Sequence, residues 1–108
     1  MNKAVFLDKD GVICKDTNYL HKIQDFEFID KTIDALKLLS KTDYKIIIVT
    51  NQAGIAHGFY TEEDFFKLNN WMLNKLKSKG IRIDKVYYCP HHPDAKVAKY
   101  KIDCNCRK

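Results

Sequence analysis

The stretch Phe6-Leu7-Asp8-Lys9-Asp10-Gly11 decides how the rest of the chain is read. An apolar run ending in two carboxylates two residues apart reads as a strand with a polar tip. Side chains repeat every two residues along a strand, so extended geometry carried past Leu7 turns Asp8 and Asp10 the same way. Gly11 lets the backbone turn sharply directly after them. Two hard oxygen ligands on one side suit Mg²⁺ better than a soft metal. Taken alone, these residues also fit an Asp-rich turn closing a strand.

Outward from this stretch, residues 3–7 are predicted as the first strand and residues 45–50 as the second. Ile46-Ile47-Ile48-Val49 has the β-branched continuity of a sheet covered on both faces. Both strands are expected to be parallel and central. Between them, residues 30–41 carry helical spacing at Ile33, Leu36 and Leu39, with Asp30 placed to cap the start. A longer helix is expected over residues 61–79. Thr61-Glu62-Glu63-Asp64 has the capping-box pattern, Gly80 terminates the helix, and Phe65, Leu68, Met72 and Leu76 form its buried stripe. Residues 83–88 supply a third strand. The order β-α-β-α-β predicts an α/β fold, a three-layer, doubly wound parallel sheet. Residues 14–29 show no clear period and are too long for a routine connection, so part of them is expected over the carboxyl ends of the strands. Ligands of open α/β sheets bind there.

At 108 residues and 45% hydrophobic content, the chain is one small domain with enough apolar residues for a core. No apolar run approaches the ~18 residues of a membrane span, and the first residues lead into a strand rather than a signal peptide. A cytoplasmic protein is expected. The net charge of +5 is carried by dispersed lysines, with arginine only at positions 82 and 107, which favours small anionic substrates over nucleic acid.

Thr50-Asn51-Gln52 follows the second strand as the Asp pair follows the first. If the strands are neighbours, a hydroxyl and amides stand beside the carboxylates, ready to donate to phosphate oxygens. A polar turn in which Thr50 or Asn51 caps the next segment explains less once it is joined to Asp8-x-Asp10-Gly11. With nothing marking export, the cysteines favour metal ligation over disulfides. Cys89-x-His91 followed by Cys104-x-Cys106 offers three thiolates and an imidazole, a closed tetrahedral set for a structural Zn²⁺. The loop between them has little apolar surface, and a metal supplies the missing order. Cys14 reads as a packed small hydrophobe, with a reactive thiol as the alternative. Tyr60, Phe65, Phe66 and Trp71 read as helix packing rather than a base-stacking platform.

In this order the motifs resemble the haloacid dehalogenase (HAD) superfamily of phosphotransferases. Asp8-Lys9-Asp10-Gly11-Val12 matches its first motif and Thr50 ends its second. Thr50-Asn51-Gln52-Ala53-Gly54-Ile55-Ala56, Tyr87-Tyr88-Cys89-Pro90-His91-His92-Pro93 and Cys104-Asn105-Cys106-Arg107-Lys108 are similar to one branch, the heptose-bisphosphate and histidinol-phosphate phosphatases. The resemblance implies a Mg²⁺-dependent phosphatase that takes D-glycero-D-manno-heptose 1,7-bisphosphate to the 1-phosphate through an aspartyl-phosphate. Asp8 is then the nucleophile and Asp10 the general acid and base. Asp8 and the Asp10 carbonyl hold Mg²⁺, and Thr50 and Lys108 bind the phosphoryl oxygens. Asp16, Thr17, Asn18, Tyr19, Asn51, Gln52 and Arg107 hold the rest of the substrate. The resemblance also selects His91 over His92 as the zinc ligand, and it makes the loop 89–106 a replacement for a mobile cap domain. His57 stands where relatives commonly carry arginine.

Family members continue into a further strand with an acidic motif that completes the Mg²⁺ site. The expectation is therefore that residues 1–108 form the N-terminal portion of one HAD-like domain, with little or no turnover of its own. A complete enzyme is expected to be monomeric, and this chain to self-associate through an open edge of its first strand. Three other readings stand beside the main one. They are a histidinol-phosphate phosphatase, an inactive zinc-bearing binding module, and a polynucleotide 3′-phosphatase, which shares the Asp and Thr-Asn-Gln signatures but lacks the Cys-His loop.

Overall fold

The computed structural model describes residues 3–17, 19–92 and 96–100. Asn18, Cys104, Cys106, Arg107 and Lys108 lie outside the described residues. Three strands, β1 (Ala4–Asp8), β2 (Lys45–Asn51) and β3 (Lys85–Cys89), form one sheet in the order β1-β2-β3. Both pairings are parallel, as expected. Asp8 lies beside Val49 in the first, and Thr50 beside Tyr88 in the second. Only β2 is central. β1 sits at an edge among the described residues, because the strands lie side by side in chain order.

The helices are α1 (Asp30–Leu39), the single turn α2 (Ala53–Ala56) and α3 (Glu62–Ser78). Asp30 does not cap α1. The N-cap is Ile29, without a side-chain bond, and Asp30 opens the helix, where its charge favours the positive end of the dipole. The start is held instead by Thr32, whose Oγ1 donates to the Val12 carbonyl at 2.5 Å. The α3 capping box forms as expected. Asp64 N donates to Thr61 Oγ1 at 3.1 Å, and Thr61 N donates to Asp64 Oδ2 at 3.0 Å. Gly80, at φ +80°, ends this helix in the left-handed region.

Ile33 and Leu36 of α1 share one core cluster with Met72 and Leu76 of α3, and with Ile46 and Ile48 of β2. Phe65 and Leu68 are buried as well, so the whole predicted stripe of α3 faces inward. Two right-handed crossovers running the same way across a sheet place both helices on the same face. The other face carries Ile47 with its register partner Phe6, and Val49 with its partner Tyr87. Phe6 is 64% exposed and Tyr87 48%. Among the described residues, no helix is long and apolar enough to cross a membrane.

Thr61→Ala removes the hydroxyl that accepts from Asp64 N. It is expected to lower stability by about 1 kcal/mol, read as a shift of the urea midpoint at constant slope.

Candidate functional site

The register that sets Asp8 beside Val49 brings the tips of β1 and β2 to one level. A cavity of about 340 Å³ opens there, and Asp8, Asp10, Asp16, Tyr19, Thr50, Asn51 and Gln52 all line it. Thr17 is exposed and does not line it. Tyr60 and Leu20 complete the wall beside them.

The turn after β1 is built around one carbonyl. Lys9 O accepts from the backbone N–H of Val12, Ile13 and Cys14 at 3.3, 2.9 and 3.2 Å. Gly11, at φ +87°, donates its own N–H to Cys14 O at 2.7 Å. The segment that follows is closed at both ends. Lys15 N donates to Glu27 O and Ile29 N to Ile13 O, each at 2.9 Å. Between these pins the chain passes over the strand tips and delivers Asp16 and Tyr19 to the cavity, as the lack of periodicity suggested. Tyr19 has φ 60°, a strained left-handed conformation for a bulky residue.

Asp10 is held from behind. The Lys9 ammonium, 1% exposed, lies 3.0 Å from Asp10 Oδ1. The Cys14 thiol donates to the same oxygen at 3.6 Å. Burial pushes the Cys14 thiol up to about 12, so it stays protonated and behaves as the packed residue expected. Lys9 went unassigned by sequence reading, although strand alternation points it opposite to its two acidic neighbours, and a lysine at an inward position signals a buried partner. Three carboxylates lining one small cavity repel one another unless a cation lies among them. An all-oxygen donor set from Asp8 and Asp10 fits Mg²⁺.

On the β2 side, Thr50 and Gln52 are each 2% exposed and Tyr60 is 6% exposed. Gln52 Nε2 donates to Thr50 Oγ1 at 2.8 Å, and the Tyr60 hydroxyl donates to Gln52 Oε1. Burial pushes the Tyr60 phenol well above its ordinary value and keeps the proton in place. Tyr60 was expected in helix packing and instead walls the cavity, since it precedes α3. No periodic signal marks it. Its placement depends on Gly54, where an added Cβ would lie 2.2 Å from Tyr60 Cε1.

After β3, Cys89 Sγ and His91 Nδ1 are 4.0 Å apart. Cys89 is disulfide-bonded, contrary to the expected preference of these cysteines for metal over disulfides, so its sulfur is not held as a thiolate ligand here. Cys104 and Cys106 lie outside the described residues, and no group of three metal-ligating side chains occurs among the described ones. His92 packs its ring on His57 at 4.8 Å. The returning loop is clasped by Glu62, which accepts from the Tyr88 hydroxyl at 2.6 Å and the Tyr100 hydroxyl at 2.5 Å. These bonds, the Tyr100 one foremost, hold the Glu62 carboxyl below its ordinary value.

A family model described as polynucleotide kinase 3 phosphatase matches residues 3–100. The D-glycero-beta-D-manno-heptose-1,7-bisphosphate 7-phosphatase of Photorhabdus laumondii is 51% identical over 105 residues, which cover 97% of this chain and 56% of that protein. The Haemophilus influenzae protein of the same name is 49% identical over 108 residues, covering 100% of this chain and 58% of the relative. The chain thus spans a little over half the length of these curated relatives. A HAD-like phosphatase from Mesorhizobium loti superimposes with TM-score 0.92 at 30% identity, over 99% of this chain and 51% of that one. The D,D-heptose 1,7-bisphosphate phosphatase from B. bronchiseptica, complexed with magnesium and phosphate, gives TM-score 0.84 at 27% identity, over 98% and 56% of the two chains.

A carboxyl group whose folded pKa is depressed stabilises the fold above its unfolded pKa, and that contribution fades as pH falls through the lower folded value. Comparing thermal melts of the wild type and Glu62→Gln across pH should therefore show the wild-type advantage in full at neutral pH. The advantage should shrink only below about pH 4.3, the ordinary glutamate value.

Proposed function

Because the chain belongs to the polynucleotide kinase 3 phosphatase family of HAD-like phosphatases, we propose that it carries the phosphoryl-transfer site of a phosphatase for D-glycero-D-manno-heptose 1,7-bisphosphate. The observation that carries this reading is the convergence of Asp8, Asp10 and Thr50 on one small cavity at the strand tips. The substrate assignment is supported by the heptose-bisphosphate phosphatases that are about half identical to the chain along nearly all of it.

In the proposed reaction, a carboxylate oxygen of Asp8 attacks phosphorus in line and forms the aspartyl-phosphate, while the bond to the sugar oxygen breaks. Asp10 gives its proton to that leaving oxygen. It then takes a proton from the water that attacks the acyl phosphate, which restores Asp8 and frees inorganic phosphate. Pinning of Asp10 Oδ1 by Lys9 and Cys14 keeps the carboxyl in one orientation through both transfers. Thr50 donates to a non-bridging oxygen, and Lys108 would add a cation there. Asp8 and the Asp10 carbonyl would hold Mg²⁺, which when bound offsets the repulsion between a carboxylate and a phosphate dianion. Asp16, Tyr19 and Asn51, which line the cavity, would contact the rest of the substrate, together with Asn18 and Arg107.

In the reduced state, Cys89, His91, Cys104 and Cys106 are proposed to bind a structural Zn²⁺ that orders the loop after β3. Thiolate ligands of this kind persist in a reducing compartment, in keeping with a cytoplasmic location. The edge of β1, unpaired among the described residues, is the surface through which copies would associate.

A second reading, a polynucleotide 3′-phosphatase, is favoured by the description of the matching family. The two part in a substrate panel with and without Mg²⁺. However slow the turnover of residues 1–108, phosphate release is expected from the heptose bisphosphate and not from a 3′-phosphorylated oligonucleotide, and Asp8→Asn should abolish it. Preference for the oligonucleotide, or turnover surviving in Asp8→Asn, would overturn the main reading.

A further inference from the structure

We propose that Gln52 and Tyr60 are positioning residues that set the Thr50 hydroxyl as a hydrogen-bond donor toward the phosphoryl group, an inference that rests on the phosphatase reading above. A threonine hydroxyl has one proton and two lone pairs, and near an anion only the proton is useful. Which end of the Gln52 amide faces Thr50 decides where that proton goes.

With the amide nitrogen toward Thr50, Nε2–H occupies an Oγ1 lone pair at 2.8 Å. The Thr50 proton then has no acceptor in Gln52 and is available to an acceptor in the cavity that Thr50 lines. With the amide reversed, Oε1 would draw the Thr50 proton to itself, and a lone pair would face the phosphate. Tyr60 selects between the two orientations. Its hydroxyl donates to Gln52 Oε1, and among the described residues it has no other recorded acceptor, so a reversed amide would strand the buried phenol proton. Thr50, Gln52 and Tyr60 are all at least nine-tenths buried, so water competes little for these bonds.

The relay is also rigid. The Tyr60 ring stacks on His21 at 4.9 Å with an interplanar angle of 7°. On its other side, Gly54 admits the ring only because it lacks a Cβ. A donor fixed before substrate arrives needs no reorganisation during the reaction. Through this bond Gln52 acts on the substrate by way of Thr50.

The test is a double-mutant cycle on the full chain. Mg²⁺-dependent binding of inorganic phosphate is measured by calorimetry for the wild type, Tyr60→Phe, Thr50→Val and the double variant, with thermal melts alongside. Tyr60→Phe keeps the ring and removes the proton, and should weaken phosphate binding by about five-fold. In the Thr50→Val background the same change should have no further effect. Gln52→Met, run through the same cycle, should behave as Tyr60→Phe does and guards against a folding defect peculiar to one variant. Equal losses in both backgrounds, or no loss in either, would overturn the relay and leave the phosphatase reading standing. A wild-type chain that binds no phosphate with Mg²⁺ present would overturn both.

Discussion

The parallel register of β1 on β2 is the constraint on which the site depends. With Asp8 beside Val49, the next residues of each strand, Lys9-Asp10 on one and Thr50-Asn51 on the other, emerge at the same level. A slip of one residue would turn every side chain on β1 to the opposite face, burying Asp8 or exposing Leu7. The register is enforced below the site by Ile46 and Ile48, both fully buried against α1 and α3. On the other side of β2, Asp84 fixes the approach of β3, its Oδ2 accepting from Ile46 N at 2.7 Å. The chemistry at the tips is therefore held by packing well below it.

Charge organises the tips themselves. The cavity gathers three carboxylates, Asp8, Asp10 and Asp16. Lys9 pairs with Asp10 from the inner side. Facing these acids, the β2 tip presents a neutral donor chain that begins at a buried phenol and ends at Thr50. An acidic wall set opposite a neutral wall that donates is an arrangement suited to a metal-bridged phosphate dianion.

The peripheral segments are tied down by polar bonds as well as by apolar burial. Lys15 and Ile29 pin the two ends of the excursion that carries Asp16 and Tyr19. Glu62 clasps Tyr88 and Tyr100, and Val97 N donates to Ala56 O at 2.9 Å, which anchors the chain returning from β3 onto α2 and α3. Both segments border the cavity or the Cys89–His91 pair, so their order bears on the shape of the site.

Local chemistry along the chain made much of this legible. The apolar run of β1 and the β-branched run of β2 announced the strands, and the capping box and Gly80 bounded α3 to within a residue. Asp8, Asp10, Thr50 and Asn51 were expected together because strand tips of a parallel sheet share one end, a property of topology that needs no knowledge of side-chain contacts. Long-range packing settled the remainder. Asp30 yielded its capping role because Thr32 found the Val12 carbonyl, 20 residues away. Among the described residues, β1 took an edge because both crossovers step in the same direction. Tyr60 left the expected helix face for the cavity because Gly54 opened a space that no periodicity encodes. Elements follow from neighbours a few residues apart, whereas partners for a buried Lys9 or Gln52 exist only once distant segments have closed around them.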